Sequence, residues 1–311
     1  MQIADFFSKY RDEQTCKDFF KQKREAGLKR CKQCGSLHLY WIAKESRWRC
    51  KECKYNMGLK QGRVMENSNL GYRVWLWGLY LMTLTKKGFS ALEVKRLIGH
   101  KRYEPIWLMM QKIRITMGHR DDKYSLDGFI EMDEGFFEGH RKKEVTTIET
   151  KPVKEMDRQV KAIVAVSTKP VTQADQKEDR PESKAGFVKI SVVSTLCSTE
   201  VRYEAEKMIQ KSATVLTDGR RCYSGLKDIC AAHEAIVVKD KKEISKAFPW
   251  VHIAISNAKK KILGLHHQVK DSYMQNYLSE FCCKFNRRHF GVKLFDRLVV
   301  IAAIEKPWYM P

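Results

Sequence analysis

Four cysteines constrain this chain before anything else is read: Cys31-x2-Cys34 and Cys50-x2-Cys53, with fifteen residues between the pairs. Each C-x2-C turn presents two thiolates, and two such turns close a tetrahedron around one zinc ion. The spacing falls within the range used by zinc sites. Four thiolates leave no open coordination position, so the ion they imply is structural. The other six cysteines (Cys16, Cys197, Cys222, Cys230, Cys282, Cys283) are scattered. A chain of 311 residues with no secretory leader pattern does not need a disulfide framework. The expected compartment is the reducing cytoplasm.

Charge narrows the partner. The sequence carries 59 Lys+Arg against 37 Asp+Glu, a formal charge of +22. Such an excess implies a polyanion, with nucleic acid ahead of an anionic membrane. No run approaches the roughly 20 apolar residues that a membrane span requires. The excess is uneven. Residues 1–126 hold 27 basic and 12 acidic residues, residues 127–249 hold 22 and 21, and residues 250–311 hold 10 and 4. That split suggests a basic N-terminal module, a near-neutral middle and a basic C-terminal helical region. With the motifs below, the expected domains are an N-terminal helix and zinc ribbon over 1–66, a helical module over 67–126, and an α/β domain over 127–311.

Periodicity supplies the elements. Ala4 to Lys29 reads as one helix, and Trp41 and Trp48 lie on a small hairpin between the knuckles. Gly71 to Leu84 is crowded with apolar residues, as in a buried helix. Ser90-x2-Glu93 is a capping box opening a helix over Ala91–Ile98 that stops at Gly99, and a further helix covers Tyr103–Met117. Three helices with a glycine-containing turn before the last resemble a helix-turn-helix. Then the period changes. Phe129–Phe137, Val160–Val166 and Phe187–Val193 are β-rich. A helix over Thr199–Lys211 precedes a strand at Ala213–Leu216, and Val237–Val238 forms another short strand. The end is helical, over Trp250–Leu263, Ser272–Arg288 and Val292–Ile304. That order is α/β or α+β.

Two aspartates at strand ends carry the chemical hint. Asp133 lies within Ile130-Glu131-Met132-Asp133-Glu134, and Asp218 closes Val215-Leu216-Thr217. Carboxylates on neighbouring strands can converge on divalent metal, which oxygen ligands suit. Two such ions serve an in-line phosphoryl transfer. Past Asp218, a helix beginning near Trp250 carries His252. At 100° per residue Ser256 and Lys259 share its face, while Asn257 points away.

The order of these motifs resembles a family. Zinc ribbon, helical module, Glu131-x-Asp133-Glu134 and Thr217-Asp218-Gly219 are followed by Trp250-Val-His252-x3-Ser256-Asn257-Ala-Lys259. Then come Gly264-x-His266-His267 and Tyr277-Leu278-x-Glu280-Phe281-x3-Phe285-Asn286-Arg287-Arg288. From about residue 28 to 304 the chain resembles bacterial insertion-sequence transposases with an N-terminal zinc ribbon and an RNase H-like DDE catalytic domain. The resemblance implies a mixed sheet flanked by helices. It makes Asp133 and Asp218 the first two acidic ligands of a Mg2+ or Mn2+ site. The usual third ligand, a glutamate with a basic residue seven positions on, falls on His252 with Lys259 after it. The chain thus looks like the branch in which histidine replaces that glutamate. An imidazole is softer than a carboxylate and favours Mn2+. Asn257, with a hard carbonyl oxygen, is the competing third ligand; helical phase with Lys259 favours His252.

The implied activity is cleavage of phosphodiesters at transposon ends and joining of the freed 3′ hydroxyl to target DNA. The implied setting is a homodimer or larger assembly on DNA, at the bacterial nucleoid. Lys259 would hold a phosphate. Arg47, Arg49, Lys101, Arg102 and Arg114 are candidate DNA contacts in the basic front end. Arg287 and Arg288 either contact phosphate or pair with Glu280. Two other classes compete: a catalytically inactive transposase retained as a zinc-ribbon DNA-binding protein, and another RNase H-like nuclease such as a resolvase.

Overall fold

A computed structural model describes residues 2–28, 30–140, 159–171, 183–237, 247–291 and 293–304. The chain forms two compact units, Met1–Met117 with Phe290–Pro311, and Gly118–His289.

The first unit opens with α1 (Ile3–Lys9) and α2 (Glu13–Glu25). One helix was expected here. The break falls at Asp12, whose extended backbone and side chain, accepting the Thr15 N–H at 2.7 Å, start a second helix. Strands β1 (Leu39–Ile42), β2 (Arg47–Cys50) and β3 (Asn56–Gly58) form an antiparallel sheet in that order. Trp41 pairs with Trp48 across it, ring centroids 4.6 Å apart. Arg24, buried at the end of α2, donates to the carbonyls of Gly58, Leu59 and Gln61 and so ties the helix to the loop after β3.

Helix α3 (Tyr72–Leu84) buries Trp75, Leu76 and Leu79, as its crowded apolar residues require. Ser90 and Glu93 close both halves of the capping box on α4 (Ala91–Ile98), and Gly99 ends it with φ of +73°. Helix α5 covers Glu104–Asp121. The last helix of the chain, over Lys293–Ile304, packs with α2 and α3; its Phe295 sits edge-on to Phe6, which stacks on Tyr80.

The second unit is the expected α/β domain. Strands β4 (Phe129–His140), β5 (Gln159–Pro170) and β6 (Ser183–Val193) are antiparallel neighbours. Helix α6 (Ser198–Met208) then carries the chain to β7 (Thr214–Thr217), which pairs parallel to β4, and β8 (Ala232–Ala235) pairs parallel to β7. A parallel partner needs such a crossover. The sheet order is β6-β5-β4-β7-β8, and β9 (Val269–Lys270) pairs with the far end of β4. The short strand expected at 237–238 lies earlier, at Ala232–Ala235, and Val238 is outside the described residues.

Helices cover both faces of the sheet. Along β5, Ala162, Val164 and Val166 meet Val251, Ala254 and Leu278 from α7 (Pro249–His266) and α8 (Met274–Asn286). The alternate residues Ile163 and Ala165 meet Val201 and Ala205 of α6. This two-sided burial explains why β5 reads as a continuous apolar run. With these elements labelled, the helix over Lys293–Ile304 is α9.

Candidate functional site

Register brings the two aspartates together. Phe129, Ile130 and Glu131 of β4 lie opposite Thr214, Val215 and Leu216 of β7. Continuing that register by two residues puts Asp133 opposite Asp218. Strand β7 stops at Thr217, so β4 runs on beside a gap in the sheet. Carboxylate oxygens of Asp133, Glu134 and Asp218 converge there, all within 4.8 Å of one another. Ile130 and Met132 are packed on the α6 side of the sheet, so the alternating Glu131 and Asp133 face α7.

Glu131 uses that position to anchor the helix. Its Oε2 accepts the N–H groups of Trp250 and Val251 at 2.8 and 2.9 Å. These are two of the amide donors that a helix N-terminus leaves unsatisfied. The same arrangement sets His252 beside Asp133, with Nδ1 3.5 Å from Oδ2. Glu131→Ala is expected to cost about 1–3 kcal/mol of stability by orphaning two buried donors. Glu131→Gln, whose amide oxygen still accepts, should cost less. Thermal melts of the two variants check this order.

Burial dominates the electrostatics. It raises the Asp133 carboxyl, and the nearby Asp218 adds to the rise, while the Glu134 N–H and His252 oppose it. Burial likewise pushes Glu134 up to about 7, against the Cys222 thiol and Arg220, and Glu131 up to about 7, against its two helix N–H bonds. Cys222, whose Sγ lies 3.2 Å from Glu134 Oε1, is pushed up to about 12 by burial and by that carboxylate. Desolvation disfavours the ionised form of each of these carboxylates, and Arg220 partly offsets it at Glu134.

The donor set fits a divalent ion. Three carboxylates offer hard oxygens. His252 Nε2 is buried and has no hydrogen-bond partner among the described residues. The carboxylates that come together closely enough to share an ion are Asp133, Glu134 and Asp218, and His252 borders them through Nδ1. On the same helix Ser256 and Lys259 are half-buried like His252, whereas Asn257 is exposed. Helical phase anticipated this difference.

The zinc site meets the same kind of test in the first unit. Cys31 and Cys53 sulfurs are 3.6 Å apart, as are those of Cys34 and Cys50, and all four lie within 4.8 Å of one another. A tetrahedron with metal–sulfur distances of about 2.3 Å has edges of about 3.8 Å. Disulfides, at about 2.05 Å, are excluded. Backbone N–H groups of Cys34 and Gln33 lower the Cys31 thiol and favour the thiolate that zinc requires. Residues 11–56 match the transposase zinc-ribbon domain, and residues 125–286 match the ISXO2-like transposase domain, which alone covers more than half of the chain. The chain belongs to the ISXO2-like transposase family. Among curated proteins none matches it.

Membership in this transposase family gives a transposase role with a zinc ribbon, and with it DNA binding. Among the described residues no helix is long and apolar enough to cross a membrane. Removing zinc with a chelator is expected to unfold the ribbon hairpin. Loss of the Trp41–Trp48 contact would then shift tryptophan fluorescence, and metal analysis should return about one zinc per chain.

Several arginines expected at DNA in this transposase do structural work instead. Arg114 is only 1% exposed, inside the first unit. Arg287 pairs through Nη1 with Asp121 Oδ1 at 2.6 Å, and both side chains are below 10% exposed. Its partner is Asp121 rather than Glu280, which instead takes Lys261 and Lys284, each at 3.0 Å. Arg288 spends its donors on the carbonyls of Ala185, Gly186 and Phe285. Between these elements Asn286 pairs with both backbone groups of Val188, accepting its N–H at 2.6 Å and donating to its carbonyl at 2.9 Å, as an extra strand residue would. The Phe-Asn-Arg-Arg stretch thus fastens α8 to β6. By contrast Lys101 and Arg102 are exposed, Arg49 is half-buried on β2, and Arg47 pairs with Glu45.

Glu131, Glu134, Arg220, Thr217 and His233 carry parts of the site that sequence reasoning did not assign. Thr217 Oγ1 lies 3.0 Å from His233 Nε2 and accepts the Gly219 N–H at 3.3 Å, bracing the turn that presents Asp218. The acidic Glu131-x-Asp133-Glu134 run was a signal for the first two. Nothing in the sequence links β8 to the Asp218 turn.

Proposed function

We propose that this chain is a DDE-type transposase of the histidine branch, cutting phosphodiesters at the ends of its element and joining the freed 3′ hydroxyl to target DNA. The single observation that carries the reading is the triad itself: Asp133 on β4 beside Asp218 just past the end of the parallel strand β7, with His252 facing Asp133 at 3.5 Å. Asp133, Asp218 and His252 would hold the divalent ion, and the imidazole favours Mn2+ over Mg2+. Bound there, divalent metal would supply Lewis-acid stabilisation of the attacking and leaving oxygens of an in-line displacement. Lys259, two turns beyond His252 on the same face of α7, would fix a DNA phosphate as a point charge. Arg47, Arg49, Lys101 and Arg102 would contact the backbone of DNA held by the first unit.

Pairing two element ends calls for at least two protomers, and the site of action would be chromosomal DNA at the nucleoid of a bacterial cytoplasm. The test is incubation of the purified protein with labelled element-end DNA and Mn2+. Nicking at the element end followed by strand joining supports the reading. Tight binding without cleavage in any divalent metal would point instead to a DNA-binding protein that has lost catalysis.

A further inference from the structure

The turn after Asp218 brings a cation back over the carboxylate cluster. Gly219 takes φ of +79°, and the Arg220 N–H donates to Asp218 Oδ1 at 3.2 Å. The guanidinium then reaches two carboxylates at once, with Nε 3.0 Å from Asp218 Oδ2 and Nη1 2.8 Å from Glu134 Oε2. Glu134 is 2% exposed, whereas Arg220 remains 57% exposed. The fork therefore closes the open side of the cluster and still faces solvent. A buried carboxylate without a cationic partner is strongly destabilising, so in the absence of metal Glu134 depends on this arginine.

The same two carboxylates border the position a divalent ion would take, and like charges a few ångströms apart oppose each other even in a partly wet site. Resting on the reading that Asp133 and Asp218 hold divalent metal, we propose that Arg220 is the resident counter-ion of the cluster. It neutralises Asp218 and Glu134 while no divalent ion is bound and yields them when one enters. Its exposed guanidinium is then free for a DNA phosphate. Neutralisation of the site thereby passes from protein to metal, and one additional phosphate contact appears only when the site is loaded. Arginine suits both states, because its planar fork matches carboxylate and phosphate alike.

Mn2+ binding to the zinc-loaded full chain, followed by the electron paramagnetic resonance of the free ion, tests the first step. Arg220→Gln is expected to bind Mn2+ about tenfold more tightly than the parent chain, and Arg220→Lys to stay close to the parent because the charge persists. The second step is read from the salt dependence of binding to a labelled DNA duplex. The parent, zinc-loaded throughout, should show a slope steeper by about one phosphate with Mn2+ than without added Mn2+, and Arg220→Gln should not. The slope comparison on the parent chain stands even where a variant folds poorly. Unchanged or weaker Mn2+ binding by Arg220→Gln, or equal parent slopes with and without added Mn2+, would overturn the proposal. Mn2+ binding that survives both Asp133→Asn and Asp218→Asn would instead contradict the metal site on which it rests.

Discussion

Asp133→Asn is expected to yield a folded chain that still binds DNA and cuts it at least about 10³-fold more slowly, and Asp218→Asn should behave alike. The loss should be functional rather than structural. Asp133 and Asp218 hold their carboxylates against each other's charge, and burial already disfavours the ionised form of Asp133. An amide of the same shape removes that repulsion. The melting temperature of the zinc-loaded chain without added Mn2+ should therefore hold or rise. Added Mn2+ should raise it in the parent chain and not in the variants, because a ligand stabilises only the state that binds it. A variant that loses cleavage together with its melting transition would place Asp133 in the core instead.

Arg287→Ala is expected to destabilise the second unit by about 3–5 kcal/mol, the usual consequence of breaking a buried ion pair from one side. The remaining Asp121 carboxyl, already raised by burial with Arg287 opposing the rise, would keep only the Tyr124 hydroxyl, the Asn286 amide at 3.4 Å and the nearby Lys189 as polar neighbours. A drop of roughly 10 °C in melting temperature follows for a domain of this size. The salt dependence of DNA binding should not change in those molecules that remain folded. A phosphate-contacting arginine would give the opposite pattern, with unchanged melting and a slope smaller by about one.

Much of the site was legible because its chemistry and its periodicity coincide. The knuckle spacing fixes the zinc ligands within a short stretch of chain. Asp133 and Asp218, which the family resemblance singled out at strand ends, do converge across the β4–β7 register. Capping residues were equally plain at Ser90, although Asp12 was passed over and one helix was read where its cap makes two. What failed was the meaning of isolated charges. Arg47 and Arg114 look alike in sequence, yet Arg114 lies in the core of its unit. Arg287 looks exposed in sequence yet is buried against Asp121, and Arg288, though exposed, spends donors on carbonyls at 185–186; both partners lie far off in the chain. Long-range partners of this kind leave no local pattern. The same holds for His233 and Thr217, whose contact depends on β8 lying next to β7.

The central claim is that α7 delivers His252, not Asn257, to the carboxylate pair. Cleavage of labelled element-end DNA in limiting Mn2+ by His252→Ala and Asn257→Ala measures it directly. The account predicts that His252→Ala loses about 10²-fold or more while Asn257→Ala stays within about twofold of the parent. Cleavage that persists in His252→Ala and disappears in Asn257→Ala would contradict it.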